Sequence, residues 1–170
     1  MIDLDAEAIY ATFARRVGDL MRGRDLSQVG LVGIHTGGVW LAERLREELG
    51  IATPIGALDI SFYRDDFSRT GLNPAVRPSR IPFDVAGRAL LLVDDVLYTG
   101  RTVRAGMNEI FDYGRPARID LAVLVDRGGR ELPIAAGVVG CTVELPPEVN
   151  VSLSRDGSGR LHLTLERPHG

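Results

Sequence analysis

Hydrophobic residues recur along the first fifty positions with the spacing of two helices and one buried strand. Residues 5–22 predict an amphipathic helix whose apolar face consists of Ile9, Phe13, Val17 and Leu20. Residues 29–34 form a short apolar run that is typical of a buried strand. A second helix is predicted to begin at Gly37 and Gly38 and to end at Gly50. Its buried stripe is Leu41, Leu45 and Leu49.

The middle of the chain contains an alternating strand followed by a long polar segment. Residues 55–62 alternate in polarity and place Leu58, Ile60 and Phe62 on one face, as a half-covered strand does. Residues 63–82 combine charged side chains with several glycines and prolines. A loop of this length inside a compact domain is usually functional or disordered.

The second half repeats the strand and helix alternation before it changes character. Apolar strands are predicted over residues 89–93 and 119–125, and between them lies a helix over 102–113 with Val103, Met107, Ile110 and Phe111 on its buried face. This order predicts one α/β domain over residues 1–170, with a mainly parallel central sheet flanked by helices. Residues 149–166, which surround the turn at 156–159, predict a C-terminal hairpin.

Composition excludes several kinds of chemistry. All 20 basic residues among the 170 are arginine, so a P-loop lysine or a Schiff-base lysine is not available. The net charge of -3 does not favour nonspecific binding to nucleic acid. The single cysteine, Cys141, cannot form an internal disulfide, which favours a reducing, cytoplasmic setting. No apolar stretch approaches membrane-spanning length, so no membrane association is expected.

The strongest candidate site follows the central strand. Asp94 and Asp95 precede a turn in which Thr99 and Thr102 offer hydroxyl groups and Gly100 permits close backbone approach. Helix N-termini at the carboxyl ends of parallel strands attract phosphates, and paired carboxylates can accept hydrogen bonds from a ribose diol or draw in a metal carried by the substrate. The alternative is that the acids cap a helix and Gly100 only turns the chain. The combination of strand, acids and hydroxyl turn favours a sugar-phosphate site over that alternative.

Three stretches carry a resemblance to a known family: residues 59–66, 93–104 and 122–133. They resemble the PyrR family, bifunctional uracil phosphoribosyltransferases that also regulate pyrimidine genes, within the type I phosphoribosyltransferases. The similarity covers nearly the whole chain. It implies the type I phosphoribosyltransferase fold with a small hood, and Mg²⁺-dependent formation of UMP and pyrophosphate from uracil and 5-phosphoribosyl-1-pyrophosphate (PRPP). It also implies a homodimer or a higher homo-oligomer.

The resemblance further implies a role for each part of the site. PRPP would be bound by Asp94, Asp95, Val96, Leu97, Tyr98, Thr99, Gly100, Arg101 and Thr102. The pyrophosphate loop would be His35, Thr36, Gly37 and Gly38, although many relatives have an arginine in place of Gly37. Catalysis would involve Asp94, Asp95 and Arg64, the last within a mobile flap at about residues 63–80. Val125, Asp126 and Arg127 would read the base. Mg²⁺ would arrive with the substrate near the two acids and would have no fixed protein site.

Two other functions stay open. The chain could be an RNA-binding regulator that senses UMP or PRPP and attenuates transcription at pyr leader RNA. Regulatory relatives carry polar or basic residues where this chain has Ala14, Gly18 and Gly129, whereas Arg15 and Arg130 remain, so catalysis is favoured over RNA binding. A purine phosphoribosyltransferase would share the fold and the phosphate loop, and only the similarity outside that loop favours uracil. The lack of a flap lysine argues against orotate.

Overall fold

The computed structural model describes residues 3–60 and 79–168. Along the chain its elements are α1 (Ala6–Met21), a 3-10 turn (Leu26–Gln28), β1 (Val29–Ile34), α2 (Gly37–Leu49), β2 (Gly56–Leu58), β3 (Ala89–Leu97), α3 (Arg101–Tyr113), β4 (Arg118–Asp126), β5 (Val138–Thr142), β6 (Asn150–Arg155) and β7 (Leu161–Glu166). The predicted flap, including Arg64, lies outside the described residues except for Ser79 and Arg80. Within the described ranges, no helix is both long and apolar enough to cross a membrane.

A five-stranded sheet forms the centre of the fold. Its order is β2-β1-β3-β4-β5, and every neighbouring pair is parallel. All six residues of β1 are buried because helices cover both faces of the sheet. The α/β class with a central parallel sheet is therefore confirmed, and so is the predicted C-terminal hairpin, which β6 and β7 form as an antiparallel pair.

Alternate residues of the central strands contribute to two hydrophobic clusters. On one face Leu91 and Val93 of β3 pack with residues of α1 and α2. On the other face Leu90 and Leu92 pack with residues of α3, including Ile110. Successive side chains of a strand point to opposite faces, so one apolar run serves both layers.

Helix α1 buries a different stripe from the predicted one. Asp5 caps the helix by accepting a hydrogen bond from the Ala8 N–H at 3.1 Å. Phe13 and Val17 are fully buried as predicted, but Tyr10 and Met21 complete the buried face, whereas Ile9 and Leu20 are only half-buried. Ile9 packs against Gly140 of β5, which is the edge strand of the sheet, so only one side of its side chain is covered.

Helix α3 also corrects the sequence-based prediction. Phe111, predicted on the buried face, has 56% of its surface exposed. The buried positions instead include Ala105 and Gly106. A Cβ added at Gly106 would lie 3.3 Å from Ile34 Cδ1, so the small residues bring the helix close to the sheet and turn Phe111 outwards.

The strands differ from the prediction mainly in length. β3 continues past Val93 to Leu97, because its pairing with β4 extends to Leu97 opposite Asp126. β2 contains only three residues, although Leu58 and Ile60 are fully buried as expected; Phe62 lies outside the described residues. The edge strand β5 was not predicted, since its five residues show neither clear alternation nor a long apolar run.

Candidate functional site

The topology defines where a ligand can bind. From β1 the chain crosses to β2 on one side, and β3 returns on the other side of β1. Crevices at such switch points, beyond the carboxyl ends of the strands, are the usual ligand sites of open α/β sheets. The segments that leave the two strands here are 35–38 before α2 and 98–100 before α3. Both candidate phosphate-binding segments therefore meet at one edge of the sheet.

The turn before α3 is shaped by Gly100. Its φ of 94° lies in the left-handed region that favours glycine. The Thr99 hydroxyl oxygen accepts a hydrogen bond from the Arg101 N–H at 3.2 Å. The N-cap residue, Gly100, has no side chain with which to cap α3, and no acidic residue lies in the first turn. Because the first N–H groups of a helix have no intrahelical partner, this end of α3 suits an anion.

Residues 127–132 hold three consecutive carbonyl oxygens, those of the last residue of β3 and the first two residues of the loop. The bonds run from Arg127 N to Leu97 O at 3.0 Å, from Arg130 Nη1 to Tyr98 O at 2.8 Å, and from Glu131 N and Leu132 N to Thr99 O at 2.9 and 3.1 Å. These carbonyl groups thus face the protein, and the first-turn N–H groups of α3 after Arg101 remain as donors for a phosphate. The Arg101 side chain pairs with Glu131 at 3.2 Å at the surface of the same loop.

Asp94 and Asp95 lie within β3 and differ in exposure. Asp94 is 2% exposed, and its Oδ1 accepts the Asp95 N–H at 2.8 Å. Asp95 is partly exposed, and its Oδ1 accepts the Val96 N–H at 2.8 Å. Adjacent residues of a strand point to opposite faces. The pair is thus one interior acid and one acid at the crevice, an asymmetry that the sequence prediction did not contain.

The loop after β1 packs directly against these acids. A Cβ added at Gly37 would lie 2.5 Å from Asp95 Oδ2, and one added at Gly38 would lie 2.3 Å from Val93 O. No side chain caps α2 at Thr36. His35 N–H donates to Leu58 O at 2.9 Å, which joins the loop to β2. The space that an arginine would need at position 37 is therefore occupied by the Asp95 carboxylate.

The predicted base-reading residues lie at the end of β4. Val125 is fully buried in the core. The Asp126 carboxylate accepts the Gly128 N–H at 3.0 Å and pairs with Arg130 at 2.5 Å. Arg127 is 5% exposed. The hydrogen bond from Arg130 to the Tyr98 carbonyl was not predicted from the sequence, because the two residues are 32 positions apart and no local spacing connects them.

The carboxylates fit a metal that is brought by phosphates. In the part of the chain that the structure describes, no three His, Cys, Asp or Glu side chains cluster in a way that could hold a metal ion. Mg²⁺ commonly takes one or two carboxylates from a protein and completes its shell with substrate phosphates and water. Asp94 and Asp95 could supply those one or two carboxylates, and the starts of α2 and α3 beside them could bind the phosphates that supply the other ligands.

Comparison with known proteins agrees with this geometry. The family described as "Phosphoribosyl transferase domain" matches residues 5–154. A hypoxanthine-guanine phosphoribosyltransferase from Bacillus anthracis has the same fold, with a TM-score of 0.67 and 16% identity over 88% of this chain and 86% of that one.

Closer relatives identify the branch. "Bifunctional protein PyrR" of Nitrosococcus oceani is 52% identical over 90% of this chain and 88% of its own length. The protein of the same name from Pseudomonas aeruginosa is 54% identical over 85% of this chain and 82% of its own length. The family indicated by the sequence motifs is thereby confirmed: with its acids and candidate phosphate-binding loops at the switch point of a phosphoribosyltransferase fold, the chain belongs to the PyrR family.

Proposed function

We propose that this protein is a uracil phosphoribosyltransferase that converts uracil and PRPP to UMP and pyrophosphate. One observation supports this most strongly. The uncapped start of α3, with its loop carbonyls held by residues 127–132, lies at the end of the strand that carries Asp94 and Asp95. This arrangement provides amide donors for a 5-phosphate beside acceptors for ribose hydroxyl groups.

The proposed reaction is a displacement at C1 of the ribose. The C1–N1 bond to uracil forms as the C1–O bond breaks, pyrophosphate leaves with the bonding electron pair, and the N1 proton is released. Positive charge builds on the sugar and negative charge on the leaving group, so the protein acts by positioning and electrostatics without a covalent intermediate. Within this proposal Arg64 contributes positive charge towards the pyrophosphate.

In this proposal Mg²⁺ would arrive bound to PRPP, and Asp94 and Asp95 would help to hold it. The ion would neutralise charge on the leaving pyrophosphate. The residues of the chain do the orienting. Asp95 lies between the two loops, where its carboxylate can accept from the ribose diol. The glycines at 37 and 38 allow the backbone of the pyrophosphate loop to approach. Residues 99–102 would surround the 5-phosphate.

A substrate panel tests this proposal. Purified protein with PRPP and Mg²⁺ is offered uracil, orotate, hypoxanthine and guanine, and pyrophosphate release is measured. We expect release with uracil and UMP as the product. Preferential release with hypoxanthine or guanine would establish a purine enzyme and would overturn the assignment of the base.

A second activity is suggested by the word "Bifunctional" in the names of the relatives. For this chain we propose only a subordinate RNA-binding role, because Arg130 is already engaged by Asp126, the Tyr98 carbonyl and the Ile134 carbonyl. Arg15 remains exposed on α1. A gel-shift titration with pyr leader RNA, with and without UMP, tests this ranking. Tight binding that UMP enhances would make regulation a principal function.

We also propose that the protein works in the cytoplasm as a homo-oligomer. Light scattering on the size-exclusion peak measures its mass against the 18.5 kDa of one chain. A single-chain mass at micromolar concentration would contradict the oligomer. Cell fractionation tests the compartment.

A further inference from the structure

Arg127 is a buried arginine that contacts the loop 98–100, which is the proposed phosphate loop. Its guanidinium carbon lies 4.1 Å from the centroid of the Tyr98 ring. The backbone N–H of Arg127 donates to Leu97 O at 3.0 Å. An arginine over an aromatic face is attracted by the ring, and burial strengthens that attraction. The position of the Tyr98 ring is thus tied to that of Arg127.

The same guanidinium is anchored to a distant part of the chain. Nη2 donates to the Pro146 carbonyl oxygen at 3.0 Å, and Nη1 donates to the Val149 carbonyl oxygen. These carbonyls belong to the segment 146–149, which follows β5 and leads into β6. That segment leaves the edge of the sheet beside β4, where the Val143 N–H donates to Asp126 O at 2.9 Å. One side chain therefore joins the loop before α3 to the segment between β5 and β6.

The Tyr98 ring also contacts the chain just after Arg127. A Cβ added at Gly129 would lie 2.5 Å from Tyr98 Cε2, so the ring is packed against the backbone of the glycine. The guanidinium of Arg127 and the backbone of Gly129 therefore both contact the ring. If the segment 146–149 moves, Arg127 moves with it, and the Tyr98 ring and its loop are displaced in turn.

Stability alone does not account for this arrangement. Arg127 Nε is buried and has no hydrogen-bond partner among the described residues, and in the same part of the chain Arg127 takes part in no ion pair. A buried donor without a partner typically costs about 1 to 3 kcal/mol, and burial of an unpaired charge adds to the cost. Costly groups of this kind call for a functional explanation.

We infer that Arg127 is a positioning residue that couples the segment 146–149 to the phosphate loop through Tyr98. Residues 125–127 are the predicted base-reading residues, so a ligand with a base as well as a 5-phosphate would contact both the loop before α3 and the residue that ties it to the segment 146–149. A ligand that occupies only the phosphate loop would not. The inference rests on the proposed function, and it replaces direct base reading by the Arg127 side chain with an indirect role.

The test compares UMP with ribose 5-phosphate by calorimetry. Arg127→Met should weaken UMP binding about tenfold and ribose 5-phosphate binding less than about threefold. Arg127→Lys should not restore UMP binding, because one ammonium cannot stack on the ring and also donate to both carbonyls as the planar guanidinium does. Equal weakening of both ligands, or full restoration by lysine, would overturn the inference.

The chain offers a matched control in Arg88. Its guanidinium carbon also lies over an aromatic ring, 5.2 Å from the Phe83 centroid, and it donates to the backbone carbonyls of Asp84 and Ser27. It precedes β3 at the opposite end of the sheet. Arg88→Met should therefore leave the affinities for both ligands unchanged, and a selective loss of UMP binding in this variant would refute the coupling at Arg127.

A double-mutant cycle tests the path through Tyr98. Tyr98→Leu should weaken UMP selectively, and the combination with Arg127→Met should weaken it no further than the stronger single change. If the losses of UMP affinity in the two single variants multiply in the double variant, Arg127 does not act through Tyr98. If Arg127→Met does not fold, Tyr98→Leu alone must show the selective loss. If the wild-type protein binds UMP but forms none from uracil, the proposed function is wrong. The comparison of UMP with ribose 5-phosphate binding would still test the role of Arg127.

Discussion

At the scale of single residues, the site depends on how closely two segments approach. Asp95 Oδ2 occupies the space into which a side chain at Gly37 would extend. The loop after β1 and the acids of β3 therefore form one surface. Glycine at 37 is required by this contact and not by a left-handed backbone, since Gly37 is absent from the positive-φ glycines of the described chain.

Gly37→Ala tests this contact. The added Cβ would force the Asp95 carboxylate or the loop to move, so we expect kcat/KM for uracil to fall by about a hundredfold, a loss of ~2.7 kcal/mol in transition-state stabilisation. The control is Gly18→Ala in α1, where an added Cβ meets nothing within 4 Å. That change should preserve activity and, as alanine favours helix, raise stability by about 0.5 to 1 kcal/mol. Unchanged activity in Gly37→Ala would contradict the close contact.

The acids themselves are tested by Asp94→Asn combined with Asp95→Asn. If both carboxylates act on the substrate, kcat/KM should fall by about a thousandfold or more, because several kcal/mol of transition-state stabilisation would be lost. Steady-state kinetics gives the ratio, and circular dichroism establishes that the variant is folded despite the burial of Asp94. Near-normal turnover of uracil would remove the two acids from the mechanism.

At the scale of elements, an ion-pair network joins the hairpin to the two helices on one face of the sheet. Arg44 of α2 donates two hydrogen bonds to Glu7 of α1, at 2.9 and 2.7 Å, and stacks over Tyr10. Glu7 also accepts the Leu161 N–H of β7 at 3.2 Å. The Tyr10 hydroxyl donates to Glu48 at 3.0 Å, and burial, with the nearby Glu48 charge, raises the pKa of Tyr10.

The network predicts a stability change in acid. The hydrogen bonds from Arg44 lower the pKa of Glu7 below its ordinary value of 4.5. A lowered folded-state pKa contributes stability above pH 4.5, and this stability is lost as the pH falls through the folded-state value. Glu7→Gln should therefore reduce the free energy of unfolding at pH 7 by about 1 kcal/mol, and the difference from wild type should shrink towards pH 3.

Urea titrations at several pH values measure that difference. The control is Glu47→Gln, an exposed residue of α2 that forms none of the ion pairs found in the described chain. A difference between wild type and Glu7→Gln that stays constant from pH 7 to pH 3 would show that Glu7 acts through packing and not through its charge.

At the scale of the whole molecule, the two hydrophobic clusters build a rigid sheet, and the site is assembled at its edge from segments far apart in the chain. Residues 35–38, 94–102 and 126–132 meet because β1, β3 and β4 are neighbours in the sheet. A ligand that contacts all three segments binds the folded state alone. Binding must then stabilise the fold as a whole.

Thermal unfolding measures this linkage. With PRPP and Mg²⁺ at about a hundred times the dissociation constant, the protein should gain ~2.7 kcal/mol, which raises Tm by about 5 to 10 °C for a chain of this size. Removal of Mg²⁺ with EDTA should abolish most of the shift if, as proposed, Asp94 and Asp95 would hold the ion that PRPP carries. An equal shift with EDTA present would show that PRPP binds without the metal.

The amino-acid sequence by itself determined the elements and the chemical character of the site. Helices, central strands and the hairpin follow from local periodicity, and the acids, hydroxyl groups and glycine of residues 94–102 are adjacent in the chain. Their recognition needed no knowledge of distant contacts. For the same reason, the lengths of β2 and β3 and the edge strand β5 were less accurately predicted, since strand ends depend on the partner strand.

Only the tertiary structure decided how the site is built. It assigned Asp94 to the interior and Asp95 to the crevice, turned Phe111 outwards, and placed residues 127–132 against the loop carbonyls. It also gave Arg127 partners in both the loop and the segment 146–149. These features depend on strand order and register, which bring together residues that no local spacing connects, and so a pattern read along the chain could not contain them.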